Sequence, residues 1–295
     1  MGVLNLNEPR EHRVRVRDIE IAWFEWGDPG SQPVVLAHAT GFHARCWDAV
    51  ATALASGYRA IALDQRGHGR SSKAGPYDWR AFGADLAVFI DRLDLHEAIG
   101  VGHSMGGHAI VQAAFSRVHR FERLVLIDPV ILAPEAYRSW PGFSADSHPV
   151  ARRRADFGSW TELYDRLRDR PPFALWRTDV LRDYCRHGVV RRPDGGVTLA
   201  CPPSVESAIY AGSGGTDIYR EIRSLPHEVL VVRAPPREAS PAQMDFSRSP
   251  TWHRLAAAFP RGRDAYRANL THFIPMQEPD FVARAIAEPD VVSCA

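Results

Sequence analysis

No stretch of the 295 residues carries the roughly 18 consecutive apolar side chains that a membrane-spanning helix needs. Met1 to Arg17 mixes Asn, Glu and Arg with isolated apolar residues, so it also lacks the continuous apolar core of a secretory signal. Neither sign of charge prevails. Lys plus Arg number 36 and Asp plus Glu 35, which leaves no overall field to recruit nucleic acid, an anionic membrane or a strongly acidic substrate. The expected partner is a small molecule; nothing in the sequence speaks to oligomeric state. Cysteine is scarce as well: Cys46, Cys185, Cys201 and Cys294 lie far apart with no CxxC or Cys/His ligand spacing, against both a zinc site and a disulfide framework. A soluble protein of the reducing cytoplasm fits these absences. Internal repeats and low-complexity segments are missing too.

What is present is enough for a full core, since 45% of the residues are hydrophobic. Val14 to Arg17 and Ile19 to Trp26 read as two β-rich runs around Asp18, followed by the turn Gly27-Asp28-Pro29-Gly30. Unalternating apolar runs then appear at Val34 to Ala37, Ala60 to Leu63, Ile99 to Gly102, Leu124 to Ile127 and Val229 to Val232. Strands buried on both faces of a parallel sheet read this way. Between them, Trp79, Phe82, Leu86, Phe89, Ile90 and Leu93 recur at helical spacing, with Arg80, Asp85 and Asp91 expected on the wet side. The alternation predicts a doubly wound, mostly parallel α/β sheet. It breaks between about Ile131 and Pro203, a stretch rich in Pro, Arg and aromatic residues with a hairpin-like turn at Pro193-Asp194-Gly195-Gly196. Structureless loops of such length are rare, so a helical cap over residues 131–203 is expected, inserted into a core of residues 1–130 and 204–295.

Val101-Gly102-His103-Ser104-Met105-Gly106-Gly107 matches G-x-S-x-G after a predicted strand and before the helical run Ala109 to Phe115. A serine hydroxyl is a poor nucleophile and must be lifted onto a sharp turn where a base can reach it; flanking glycines leave that room. The helix start behind it offers free N–H groups and a positive dipole end to a developing oxyanion. Upstream, Leu36-Ala37-His38-Ala39-Thr40-Gly41-Phe42 closes a predicted strand, and Asp64-Gln65-Arg66-Gly67-His68-Gly69-Arg70-Ser71 follows the next one.

With these three ordered motifs the chain resembles the α/β-hydrolase superfamily, from about Val34 to Val130 and again from Val229 to the C-terminus. The resemblance implies an oxyanion hole made of the Thr40 and Met105 main-chain N–H groups. Ala39 stands where the superfamily usually has glycine; a left-handed backbone there would strain its methyl group. Among thirteen histidines, His38 and His68 sit inside fold motifs and are read as loop-holding, and His103 is expected to point away from the serine. His272 follows a predicted strand near Ala265-Tyr266 and precedes the final helix, Asp280 to Ala287, where the superfamily puts its general base.

The acid is the sharpest expectation. Much of the superfamily places it after the strand that here is Val229 to Val232, but Arg233-Ala234-Pro235-Pro236-Arg237-Glu238 follows, without an aspartate at the usual place. Asp128, 24 residues after Ser104 at the end of the Leu124 to Ile127 strand, resembles the position from which haloalkane dehalogenases and zearalenone lactonases supply a glutamate. Asp128 is therefore preferred, with Glu238 and, more remotely, Asp245 as alternatives. For the substrate pocket the candidates are His43, Trp140 and Trp176. Arg152-Arg153-Arg154 is read as a solvated face before a carboxylate grip.

The reading that results is hydrolysis of a carboxylic ester or lactone through an acyl-enzyme on Ser104, with no metal and no organic cofactor. The same fold also hosts thioesterases, carbon–carbon bond hydrolases, cofactor-free peroxidases and lyases, and a non-catalytic ligand-binding role is the alternative from another class.

Overall fold

Alternate residues of the central strands feed two different cores, one on each face of the sheet. Val35 and Ile61 belong to one core, while Val34, Leu36, Ala60 and Ala62 belong to the other. A strand with no wet face shows no alternation, which is why these segments read as unbroken apolar runs. Each fully buried Val, Leu or Ile side chain contributes about 1.5–3 kcal/mol relative to exposure.

The computed structural model describes residues 8–213, 215–237 and 246–292. Its strands are β1 (Arg10–Val16), β2 (Ile19–Trp26), β3 (Pro33–Ala37), β4 (Arg59–Leu63), β5 (Ala98–His103), β6 (Phe121–Ile127), β7 (Asp156–Phe157), β8 (Val189–Arg191), β9 (Val197–Leu199), β10 (Glu228–Arg233) and β11 (Gly262–Tyr266). Eight form the main sheet in the order β1-β2-β4-β3-β5-β6-β10-β11. β2 pairs antiparallel with β1 and β4, and every other pairing in that sheet is parallel. The doubly wound, mostly parallel arrangement expected from the sequence is thus the one observed.

Helices Trp79–Arg92 and Met105–Ser116 cover one face; Asp48–Leu54 and Pro279–Ala287 cover the other. The first of these starts where Asp78 accepts hydrogen bonds from the N–H groups of Arg80 and Ala81, both at 3.1 Å, satisfying two donors left free at a helix start. Its apolar stripe lies on the sheet as the spacing predicts. Asp85 does not follow that prediction, because it is buried. It accepts from Arg66 Nε at 2.7 Å and Nη2 at 3.0 Å, and from Arg17 Nη1 at 3.1 Å. Two guanidinium groups supply the pairing that a buried carboxylate requires, and that partnership is invisible in helical periodicity.

The segment from 131 to 203 holds short helices, Pro134–Arg138, Trp160–Leu167 and Thr178–His187, but also a small antiparallel sheet in the order β7-β9-β8. β8 and β9 flank the turn expected at Pro193 to Gly196. Its helices are thus joined by a sheet that the helical expectation did not include. A third apolar cluster joins Phe157, Leu163, Trp176, Leu181 and Tyr184 of this segment to Ala39, Phe42, Phe273 and Met276. The last four follow the C-terminal ends of β3 and β11, Ala39, Phe42 and Phe273 in loops and Met276 in the short helix Ile274–Gln277, at the edge of an open α/β sheet where ligands bind. Among the described residues no helix is long and apolar enough to cross a membrane.

Candidate active site

Ser104 stands at the junction of β5 and the helix Met105–Ser116 with φ 57° and ψ −120°, a conformation costing on the order of 1–3 kcal/mol for a residue with a side chain. The turn is possible because the glycines around it admit close backbone contact. A Cβ built on Gly106 would run into the Ala37 carbonyl of β3, and one on Gly102 would meet the Gly106 carbonyl. Gly106→Ala is accordingly expected to lower stability by about 1–3 kcal/mol, a Tm loss of several degrees in thermal melts. An unchanged Tm would show that β3 yields without cost.

His272 Nε2 lies 3.0 Å from Ser104 Oγ, and His272 Nδ1 lies 2.6 Å from Asp128 Oδ2. Three elements meet here: the turn after β5, the residue after β6 and the loop after β11. Asp128 is fully buried and takes φ 44°. Its second oxygen accepts from Ala234 N–H at 2.9 Å and from Ser249 Oγ at 2.6 Å, so the carboxylate keeps its hydrogen bonds without water. The structure therefore brings Ser104, His272 and Asp128 together. The alternatives Glu238 and Asp245 lie outside the described residues.

Thr40 and Met105 also meet, with Thr40 Oγ1 3.4 Å from Met105 Sδ. Among the described residues neither main-chain N–H has an acceptor, which leaves both available to a developing oxyanion. The loop does not strain Ala39. The left-handed residue there is Gly41, with φ 79°, and Ala39 is absent from the positive-φ residues. A methyl group at 39 is thus compatible with this loop.

Three further histidines, His38, His68 and His103, tie the loops around the site. His38 Nδ1–H donates to the Ala39 carbonyl at 2.7 Å while Nε2 accepts from Gln65 N–H at 3.0 Å. His68 likewise donates to the Arg66 carbonyl and accepts from Gly41 N–H, both at 2.9 Å. Asp64 adds two more ties, accepting from the N–H groups of Ala44 and Arg70 at 2.7 Å each. His103, expected to point away from the serine, reaches the base's own loop and donates from Nε2 to the His272 carbonyl at 2.8 Å. Its ring can do so because the chain after β11 returns directly above β5. Sequence reasoning missed this role and that of Ser249; His103 fills the variable place of its motif, and Ser249 belongs to none.

Burial holds several of these imidazoles neutral. It lowers His38 and His108 to about 4, and it drives His68 and His103 well below the usual histidine value, with neighbouring His272 adding to the shift of His103. Unfolding releases each to an ordinary value of about 6.5, so the unfolded chain binds more protons below that pH. Their stability contribution is whole above pH of about 6.5 and falls toward pH of about 4, by up to roughly 1.4 kcal/mol per pH unit for each group. Asp48, raised to about 6 by burial, offsets part of this. Chemical denaturation between pH 7.5 and 4.5 should show a steep loss of stability; a flat profile would contradict neutral burial of these rings.

Of the pocket candidates, Trp176 is buried against Phe42 and Phe273, with ring centroids at 5.6 Å and 5.2 Å. Phe42 and Phe273 in turn touch His103, and Phe273 touches His272. His43 is buried, donating to the Tyr184 carbonyl at 3.0 Å. Trp140 stands apart, its ring contact being Phe143 at 6.1 Å. The arginine run is not one solvated face. Arg152 and Arg154 are exposed, whereas Arg153 turns inward to place Nη1 3.0 Å from buried Glu206. Asp48, Asp183 and His187 could converge on a cation, but Arg45 already forks Asp48 with bonds of 2.6–2.8 Å and supplies the positive charge there.

Comparison with known proteins places this geometry. Over 97 residues the chain is 36% identical to a non-heme chloroperoxidase of Burkholderia pyrrocinia, a match spanning 32% of this chain and 35% of that one. A non-heme chloroperoxidase of Streptomyces lividans is 36% identical over 113 residues, 37% of this chain and 41% of its own. The matched stretch thus covers well under half of either relative. Among solved structures, E-2-(acetamidomethylene)succinate hydrolase superposes over 95% of this chain and 98% of its own with TM-score 0.77 at 23% identity. The enol-lactonase from Burkholderia xenovorans LB400 superposes over 94% and 98% with TM-score 0.66 at 20% identity. Such likenesses speak to fold. A family model described as the alpha/beta hydrolase family matches residues 34–285, most of the sequence, and the chain belongs to that family.

Proposed function

We propose that the protein is a serine hydrolase that cleaves a carboxylic ester or lactone of a small, largely apolar molecule through an acyl-enzyme on Ser104. The observation that carries this reading is the continuous chain of contacts from Asp128 through His272 to the Ser104 hydroxyl. His272 Nε2 takes the Ser104 proton as Oγ attacks the carbonyl carbon, and Asp128 holds the imidazole with Nδ1–H toward the carboxylate. The carbonyl oxygen gains negative charge and receives the N–H groups of Thr40 and Met105. Collapse of the tetrahedral adduct breaks the bond to the alkoxy group, which leaves with the proton from His272. Water then attacks the acyl-serine with His272 again as base, releasing the acid and restoring Ser104.

Residues 131–203 act in this proposal as a cap whose aromatic face, with Trp176 foremost, gives the acyl or alkoxy group an apolar setting. Three buried free thiols, Cys46, Cys185 and Cys201, fit a reducing compartment such as the cytoplasm. The names of the bacterial relatives support a second reading, peroxide-dependent halide oxidation at the same serine. The deciding experiment screens chromogenic esters, thioesters and lactones, with a parallel peroxide and chloride assay, against wild type and Ser104→Ala. Serine-dependent ester or lactone turnover supports the first reading; serine-dependent halogenation without ester turnover supports the second.

A further inference from the structure

The chain that follows β10 reaches back to the acid at the end of β6. Ser249, buried there, donates its N–H to the Pro235 carbonyl at 2.8 Å, and its own carbonyl accepts from Arg237 N–H at 3.0 Å. Its hydroxyl oxygen accepts from Thr251 N–H at 3.0 Å. A serine hydroxyl has a single proton. With the Thr251 donor already on the oxygen, that proton is directed to Asp128 Oδ1, 2.6 Å away.

The same stretch is tied to both loops of the site. Phe246 offers its carbonyl to His272 N–H at 3.3 Å and lays its ring beside the imidazole, with centroids 6.0 Å apart and planes 21° from parallel. Thr251 Oγ1 donates to the Pro129 carbonyl at 2.7 Å, and Trp252 N–H donates to the Ile131 carbonyl at 3.0 Å. Residues 246–252 therefore grip the chain just after the acid as well as the backbone of the base.

Within this grip the Ser249 hydroxyl has a task that the backbone contacts cannot perform. The terminal torsion of an aspartate is broad, with no steep preference of its own, so partners set the plane of the Asp128 carboxylate. Oδ2 faces His272 Nδ1 at 2.6 Å, while Oδ1 takes Ala234 N–H and the Ser249 hydroxyl from two directions. Without the hydroxyl, Ala234 N–H is the one donor left to Oδ1 among the described residues. The carboxylate is fully buried, and a buried charge short of a donor turns toward whatever donors remain. Such a turn moves Oδ2 off the line to Nδ1.

We infer that Ser249 is a positioning residue of the reaction, setting the plane of the Asp128 carboxylate and through it the orientation of the His272 imidazole. This rests on the serine-hydrolase reading, and the test separates the two. Wild type, Ser249→Ala, Asp128→Asn and the double variant are compared by the rate at which a fluorophosphonate labels Ser104, followed by intact mass beside a thermal melt. Ser104→Ala provides the baseline. The probe needs an activated serine and an oxyanion hole but no knowledge of the natural substrate.

Ser249→Ala should label about tenfold more slowly, the order expected when a hydrogen bond to a charged group is lost. In the Asp128→Asn background the same substitution should cost less than about twofold, because a residue that acts through the carboxylate then has nothing to act through. The proton NMR resonance of His272 Nδ1–H, sensitive to so short a charge-assisted bond, should also move in Ser249→Ala. Ser249→Cys, close in size but a weak donor, should show the same loss if the alanine variant folds poorly. A wild-type labelling rate in folded Ser249→Ala, or an equal loss in both backgrounds, overturns the inference while leaving the hydrolase reading intact. An unlabelled wild type, or Asp128→Asn labelling as fast as wild type, instead overturns the triad itself and this inference with it.

Discussion

Asp128→Asn should lower turnover about 10⁴-fold on any ester the wild type cleaves, the loss seen when the corresponding aspartate of a serine protease is replaced by its amide. The fold has little reason to object. The introduced amide retains a carbonyl oxygen for Ala234 N–H and Ser249 Oγ, which now hold Asp128 Oδ1 at 2.9 Å and 2.6 Å. The side that faces His272 Nδ1 becomes an NH₂ donor, and a donor there makes Nδ1 the acceptor. The proton then sits on Nε2, toward Ser104, and the imidazole can no longer take the serine proton. The amide also withholds the negative charge that stabilises imidazolium. kcat measured beside a thermal melt checks this, with Glu238→Gln in the same assay. Near-normal turnover in Asp128→Asn with a large loss in Glu238→Gln would move the acid to the segment after β10.

How legible all this was in the sequence depends on the range of the interaction. Strands such as Val34 to Ala37 and Leu124 to Ile127 were readable because burial on both faces writes itself into consecutive residues. The turn at Ser104 was readable because a strained backbone needs glycines at fixed offsets, and Gly102 and Gly106 face carbonyls that no Cβ would clear. Asp128 is legible partly because residues 234–238, directly after the β10 strand, hold two prolines and no aspartate. Contacts between distant segments left no such trace. Asp85 looks like any wet helical residue until Arg66, 19 residues away, folds onto it. His103 occupies the variable place of its motif, and only the return of the chain at residue 272 gives its Nε2–H an acceptor. Arg153 shows the limit most clearly. Its neighbours on both sides are exposed arginines, and nothing local distinguishes the one that turns inward to Glu206.

Ser104→Ala should reduce kcat by about 10⁶ and abolish stoichiometric labelling by a fluorophosphonate probe, since removal of the nucleophile alone in a serine protease costs nearly as much as removal of the whole triad. A residual rate of about 10³–10⁴ over water is expected where Thr40 and Met105 still polarise a bound carbonyl. Stability should move differently from activity. Ser104 holds φ 57° and ψ −120°, strain that alanine keeps and glycine relieves, while the lost hydrogen bond to His272 is one of modest net value. Ser104→Ala should therefore melt near wild type, and Ser104→Gly at or above it, the glycine's greater unfolded-state entropy offsetting part of the gain. The pair separates a strained nucleophile from a structural serine. A serine kept for structure would lose stability in both variants and little turnover. Intact-mass detection of the probe adduct on another residue of the folded wild type would place the nucleophile elsewhere.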